Sequence, residues 1–72
     1  SRMPLTLAKP GETNCIQKIT GKDDVRQHLA EMGFVVGEQV RVVTEIGGNV
    51  ILQVKESRVA LSKAMANRIQ IG

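Results

Sequence analysis

His28 is the only histidine of this 72-residue chain and Cys15 the only cysteine, so metal or nucleophile chemistry has few places to start. Asp24 stands four residues before His28 and Glu31 three after it, spacings that put side chains on one face of a helix. Imidazole and carboxylate together suit first-row divalent metals, which makes Asp24, His28 and Glu31 candidate ligands. The same spacings arise on ordinary solvated helix faces, so an exposed or half-buried histidine that binds nothing is the competing reading. Nucleophilic catalysis needs a reactive side chain paired with a base, and Cys15, Ser57 and Ser62 lie in no recognisable nucleophile context. No catalytic residue is assigned, and the chain is expected not to be an enzyme. A phosphate-cradling G-x-x-x-x-G-K-[ST] loop is also absent, so no GTP site is expected.

A chain of this length can enclose one core and no more. It is read as a single domain over residues 1–72, with Ser1 and Arg2 ahead of Met3 as a vector remnant. Hydrophobic residues make up 42% of it and aromatics 1%, the one aromatic being Phe34, so the core must be aliphatic. One cysteine cannot close an internal bridge, and one histidine leaves too few ligands for structural zinc. The lone thiol and the lack of a signal-peptide pattern point to a reducing, cytoplasmic setting. No apolar run approaches bilayer length. The formal net charge is +3, but Lys18, Lys22, Arg26 and Arg41 are scattered among acids. Such a scatter makes no duplex-binding patch, and without Trp or Tyr there is no platform for stacked bases. No nucleic-acid partner is expected.

Positioning the candidates falls to a short succession of elements. Pro10-Gly11 turns the chain after the apolar Leu5 and Leu7 and before a strand over Thr13–Ile19. Within that strand the step from Ile16 to Ile19 breaks alternation and predicts a bulge or strong twist. Val25, Leu29 and Met32 recur at helical spacing, predicting a helix from Asp23 to Met32 that opens on an Asp24–Gln27 capping box. Gly33 suits the left-handed position after a helix, and Phe34 the apolar contact that folds back with it. Beyond Gly37 the period becomes two, with Val40, Val42, Thr44 and Ile46 on one face and Gln39, Arg41, Val43 and Glu45 on the other. Gly47-Gly48-Asn49 predicts a tight hairpin into Val50, Leu52 and Val54. A turn at Glu56-Ser57 then leads to a strand at Arg58–Leu61. Ser62 is placed to cap one helical turn, Lys63–Asn67, before a last strand at Ile69 and Ile71. Short strands at this spacing favour a small, mainly β barrel of about five strands.

The succession Pro10-Gly11-Glu12, His28-Leu29-Ala30-Glu31-Met32-Gly33-Phe34, Val36-Gly37 before a Val-rich strand, and Val59-Ala60-Leu61 through Ala66 to Ile69 resembles the FeoA family of small ferrous iron transport proteins. The pattern runs from Leu5 to Ile71. Its most specific part usually reads Arg-Leu-x-x-Leu-Gly-Leu and then x-x-Gly. Here His28 stands in place of the arginine, and Met32 and Phe34 in place of leucines. The resemblance implies an SH3-like β-barrel with one inserted α-helix and a short helical turn before the last strand. It also implies a cytoplasmic, non-enzymatic accessory of ferrous iron uptake that docks on FeoB, the membrane iron transporter carrying a G-protein domain. No tightly bound cofactor is expected, only a transient contact with ferrous iron. One alternative is a metal-responsive regulatory module that binds a transition metal ion weakly. Another is a barrel attached to a transcription regulator of the diphtheria toxin repressor type, whose DNA-binding and dimerisation domains are not in this sequence. Proline-rich peptide binding, known for SH3 barrels, needs an aromatic-lined groove that a chain without Trp or Tyr cannot build.

A protein-binding surface is therefore expected at the helix and its exit, from Arg26, His28, Met32, Phe34, Val35 and Val36. Leu29 and Met32 are expected to cap the core, while Val35 and Val36 fit core and surface equally. Val43 and Ile51 form either a second patch or packing beneath the helix. An unpaired barrel edge leaves weak self-association open.

Overall fold

The Thr13–Ile19 strand (β2) lies between two different partners, and the sheet curls about it. A computed structural model describes all 72 residues. In chain order they form β1 (Met3–Pro4), a 3-10 turn (Leu5–Leu7), β2, helix α1 (Asp23–Glu31), β3 (Gln39–Ile46), β4 (Asn49–Val54), β5 (Ser57–Ser62), α2 (Lys63–Ala66) and β6 (Ile69–Ile71). The six strands are antiparallel neighbours in the order β1-β6-β2-β3-β4-β5. No ladder joins β1 to β5, so the barrel-like sheet stays open at that seam. The strand beyond the five expected is the two-residue β1, which pairs with β6.

Along β2, Thr13–Cys15 pair with β3 and Ile16–Ile19 with β6. The register slips between Ile16 and Lys18, the bulge that the Ile16–Ile19 step predicts. A bulged strand bends and twists more sharply, which turns β6 out of the plane of β3.

The β3–β4 hairpin closes on Gly47 and Gly48, both at positive φ (56° and 83°), with Ile46 opposite Asn49. Two left-handed central residues define the type I′ turn, whose twist matches the flanking strands. A second slip between Val42 and Thr44 corrects the simple alternation expected for β3. Val40 and Val42 face the core, but beyond the bulge Thr44 pairs with the outward-facing Ile51, and Ile46 is 63% exposed. Val43 and Ile51 are half-buried.

Helix α1 ends at Glu31 with Met32 as its C-cap. The Gly33 N–H donates to the Ala30 carbonyl at 2.9 Å and the Phe34 N–H to the Leu29 carbonyl at 3.0 Å, the paired bonds of a Schellman ending. Phe34 then folds under the helix as expected and is fully buried. The N-terminus differs from expectation, because the Asp24–Gln27 capping box does not form. Lys22 occupies the N-cap with no side-chain bond, which leaves Asp24 inside the first turn, where its carboxylate accepts the N–H of Val25. Asp23 and Asp24 still oppose the positive end of the helix dipole there. The cap read at Ser62 is present, its hydroxyl accepting the Met65 N–H at 3.1 Å.

Fourteen residues form the core, all of them apolar, with Leu5, Ile16, Leu29, Phe34, Leu52, Ile69 and Ile71 at 0% exposure. Val25, Met32, Val59 and Met65 pack against this cluster from its rim. No helix is long and apolar enough to cross a membrane.

Gly33 sits at φ +103°, and a Cβ there would meet Val54 at 3.5 Å, an ordinary contact. The cost of Gly33→Ala is therefore the left-handed backbone itself, about 1–2 kcal/mol. Urea unfolding should show a lower midpoint with an unchanged slope; an unshifted midpoint would mean that the helix ending does not depend on glycine.

Candidate functional site

Where α1 ends, the chain makes one further turn before entering β3, and that turn is fastened at several points. The Glu38 N–H donates to the Val35 carbonyl at 3.0 Å, closing the turn on itself. Gly37, at φ +93°, fills the position that a type II turn reserves for glycine. Two further bonds tie the turn to β2: Gly37 N–H to the Ile16 carbonyl at 2.8 Å, and Ile16 N–H to the Glu38 carbonyl at 2.9 Å. The backbone is thereby held at both sides while its two valines face solvent, Val35 39% and Val36 64% exposed. Exposed aliphatic side chains on a fixed backbone lose little entropy on being covered, which favours their use as contacts.

The other residues expected to share this surface do not all reach it. Phe34 is fully buried, because the Schellman ending turns its ring inward; it supports the turn from below and cannot be touched. Met32 is half-buried and packs against the core. Arg26 and His28 are exposed, but two residues along a helix is about 200° of rotation, so they project to different sides. Arg26 is engaged with Asp23 in an ion pair one turn back. The accessible part of the expected surface is thus the Val35–Val36 turn, with Arg26 and His28 on opposite flanks of the helix. Leu7 and Ile46, 67% and 63% exposed, were not singled out by spacing, because the 3-10 turn and the β3 bulge that expose them leave no periodic signal.

The candidate metal ligands are brought together only in part. His28 Nδ1 lies 4.0 Å from Glu31 Oε1, and both side chains are exposed. Asp24 is occupied by the Val25 amide. No group of three or more His, Cys, Asp or Glu side chains converges anywhere in the fold. Cys15 is half-buried in β2, its thiol directed at the Ile16 carbonyl at 3.7 Å.

Comparison with known proteins agrees with this architecture. The FeoA domain family model matches residues 3–71. This chain belongs to the FeoA domain family. It is 32% identical over 68 residues to a Methanocaldococcus jannaschii protein named as an Fe(2+) transport protein A, covering 94% of this chain and 83% of that one. The crystal structure of an iron uptake regulatory protein (FeoA) superposes with a TM-score of 0.89 at 30% identity, over 100% of this chain and 96% of that one. A manganese-dependent transcriptional repressor contains the same fold, with a TM-score of 0.86 at 19% identity over 97% of this chain but 40% of the repressor. At that identity the likeness concerns architecture alone.

The burial of the FeoA-domain turn predicts opposite outcomes for adjacent residues. Val36→Asp should leave the unfolding free energy within about 0.5 kcal/mol of the parent, as surface changes do. Phe34→Ala should cost about 3–5 kcal/mol. Equal effects in urea titrations would show that the turn is not displayed as described.

Proposed function

We propose that this FeoA domain is a non-catalytic accessory of ferrous iron uptake, working in the cytoplasm by docking on the cytosolic, G-protein-bearing part of a FeoB-type membrane transporter. The observation that carries the docking mode is the Val35–Val36 turn, a pair of aliphatic side chains held outward by hydrogen bonds to β2. Family membership and the relatives named for Fe(2+) transport and iron uptake regulation support the process. A domain without aromatic surface must make its apolar contacts through aliphatic groups, and these are the ones available beside the family's most specific segment. Docking influences transport by differential affinity: binding one conformation of the transporter more tightly shifts its population.

Amide NMR shifts of this domain, on addition of the isolated cytosolic part of the transporter in metal-free buffer, test the proposal. Shifts should cluster between Arg26 and Val36, strongest at Val35 and Val36. They should vanish in the Val35→Asp/Val36→Asp variant while its spectrum stays dispersed. Undiminished association in that variant would remove the turn as the docking surface. If association instead required added Fe(2+), the His28–Glu31 pair would become the regulatory site and the metal-responsive reading would replace simple docking.

A further inference from the structure

We infer that the outer face of the sheet carries a carboxylate-binding cleft, built around Arg41, Lys55 and Arg58, that receives an acidic segment of a partner protein. The cleft lies outside the Val35–Val36 turn and does not rest on the docking reading. It begins with strand register. Thr13 stands opposite Arg41, Arg41 opposite Gln53, and Gln53 opposite Arg58, so one row of polar residues crosses β2, β3, β4 and β5. Val40, Val42, Leu52 and Val54 flank this row along β3 and β4 and are buried. Successive side chains of a strand point to opposite faces, so Arg41 and Gln53 point away from the core.

Around the row the surface is concave, a cleft of about 230 Å³ lined by Thr13, Glu38, Gln39, Arg41, Gln53 and Lys55. Two of the cations along it have no acidic partner in the fold. Arg41 takes part in none of the four ion pairs of the fold. Arg58 donates through Nε to the neutral Gln53 Oε1 at 3.2 Å and has no acidic partner. Lys55 is the one cation shared with an acid, its Nζ standing 3.7 Å from Glu38 Oε1. Arg41, Lys55 and Glu38 line the cleft and Arg58 stands beside it, opposite Gln53, so the three cations and one acid leave a net excess of two positive charges.

Part of the arrangement, the Arg58 guanidinium and the Lys55 backbone, is held in advance of any ligand. Gln53 uses both ends of its amide, accepting from Arg58 and donating through Nε2 to the Lys55 carbonyl at 3.1 Å. Lys55 is the only non-glycine residue at positive φ, +52°, and that Gln53 bond holds its backbone there. A guanidinium held in place, as that of Arg58 is, meets an anion at a lower ordering cost. A guanidinium such as that of Arg41 offers two parallel N–H donors matched to the two oxygens of a carboxylate.

Size and composition select the ligand. The cleft is below the range of about 300–1,000 Å³ usual for small-molecule sites, so it takes one or two side chains rather than a nucleotide or cofactor. The carboxylate of Glu38 in its wall repels any anion, so the cleft suits one or two anionic groups seated on its cations rather than a long run of them. Polynucleotide binding also draws on continuous cations and aromatic platforms, and the single aromatic of this chain is buried. Carboxylates of Asp or Glu, spaced to meet Arg41 and Arg58, fit what remains. The cleft meets the valine turn at Glu38, whose N–H closes that turn, so one partner can cover both surfaces.

The test is a titration of the intact domain with a capped hexapeptide of alternating Glu and Asp, followed by amide NMR. The same-length Gln/Asn peptide, inorganic phosphate and a single-stranded oligonucleotide serve as comparisons. Saturable shifts at Thr13, Gln39, Arg41, Gln53 and Arg58 are expected with the acidic peptide alone, weakening as salt rises through the range where the screening length falls below about 10 Å. Arg41→Gln and Lys55→Gln should each weaken binding tenfold or more, whereas Arg26→Gln, outside the cleft, should not change it. Lys55→Gln lies in a turn, so it reads the cleft even if Arg41→Gln folds poorly. Absent or unsaturable shifts, unchanged binding in both cleft variants, or tighter binding of phosphate or oligonucleotide would each overturn the assignment. The assay contains no transporter, so its failure is separate from failure of the docking proposal.

Discussion

The change of partner halfway along β2 is the constraint on which the rest of this domain depends. An antiparallel sheet that kept β2 on one neighbour would stay open and leave both faces to water. Here Thr13–Cys15 belong to the β3 ladder and Ile16–Ile19 to the β6 ladder, so one strand serves as the corner of the barrel. Ile16 stands at that corner. Its side chain is fully buried, and its backbone N–H and carbonyl both bond to the turn at Gly37 and Glu38 rather than to a regular ladder neighbour. The residue that turns the sheet therefore also fastens the loop that displays Val35 and Val36, and the surface is as rigid as the corner.

The size of the chain explains what kind of surface is left over. With no disulfide and no converging metal ligands, the fold is held by an aliphatic cluster and its one aromatic ring. Phe34 goes to the interior, where the Schellman ending places it. Nothing aromatic remains for recognition, so partners must be met by exposed aliphatic groups or by fixed charge. The valine turn is of the first kind and the cationic cleft of the second, and Glu38 belongs to both.

Much of this was legible in the residues because the signals were local. A glycine after the last helical turn, two glycines between alternating strands and a serine before a helical turn each act within a few positions, and each appears as expected at Gly33, Gly47-Gly48 and Ser62. The bulge in β2 was legible for the same reason, since Ile16 and Ile19 break the period. What was hidden is relational. Phe34 reads as a surface candidate because spacing alone does not decide which apolar residues of the helix and its exit are buried, and burial on either side of a turn is decided by tertiary packing. The Asp24 capping box does not form because the helix starts two residues earlier than the box requires, with Lys22 rather than Asp24 at the N-cap. Arg41 and Gln53 are twelve positions apart in the chain, and only the register makes them neighbours.

The bulge at Val43 shows how one irregularity settles both the core and the cleft. The type I′ turn sets Ile46 against Asn49, and without a slip that register would continue down the hairpin. Val42 would then face Gln53, and Arg41 would face Val54, mixing apolar and polar residues on each side of the sheet. The extra residue moves every later pair by one, so that Val40 meets Val54, Val42 meets Leu52 and Arg41 meets Gln53. A one-residue change of register exchanges the two faces of a strand, and here the exchange completes an apolar interior. The same exchange places Arg41, Gln53 and Arg58 side by side on the outside. The polar row is thus the outer counterpart of the packed valines and leucine, and neither can be moved without the other.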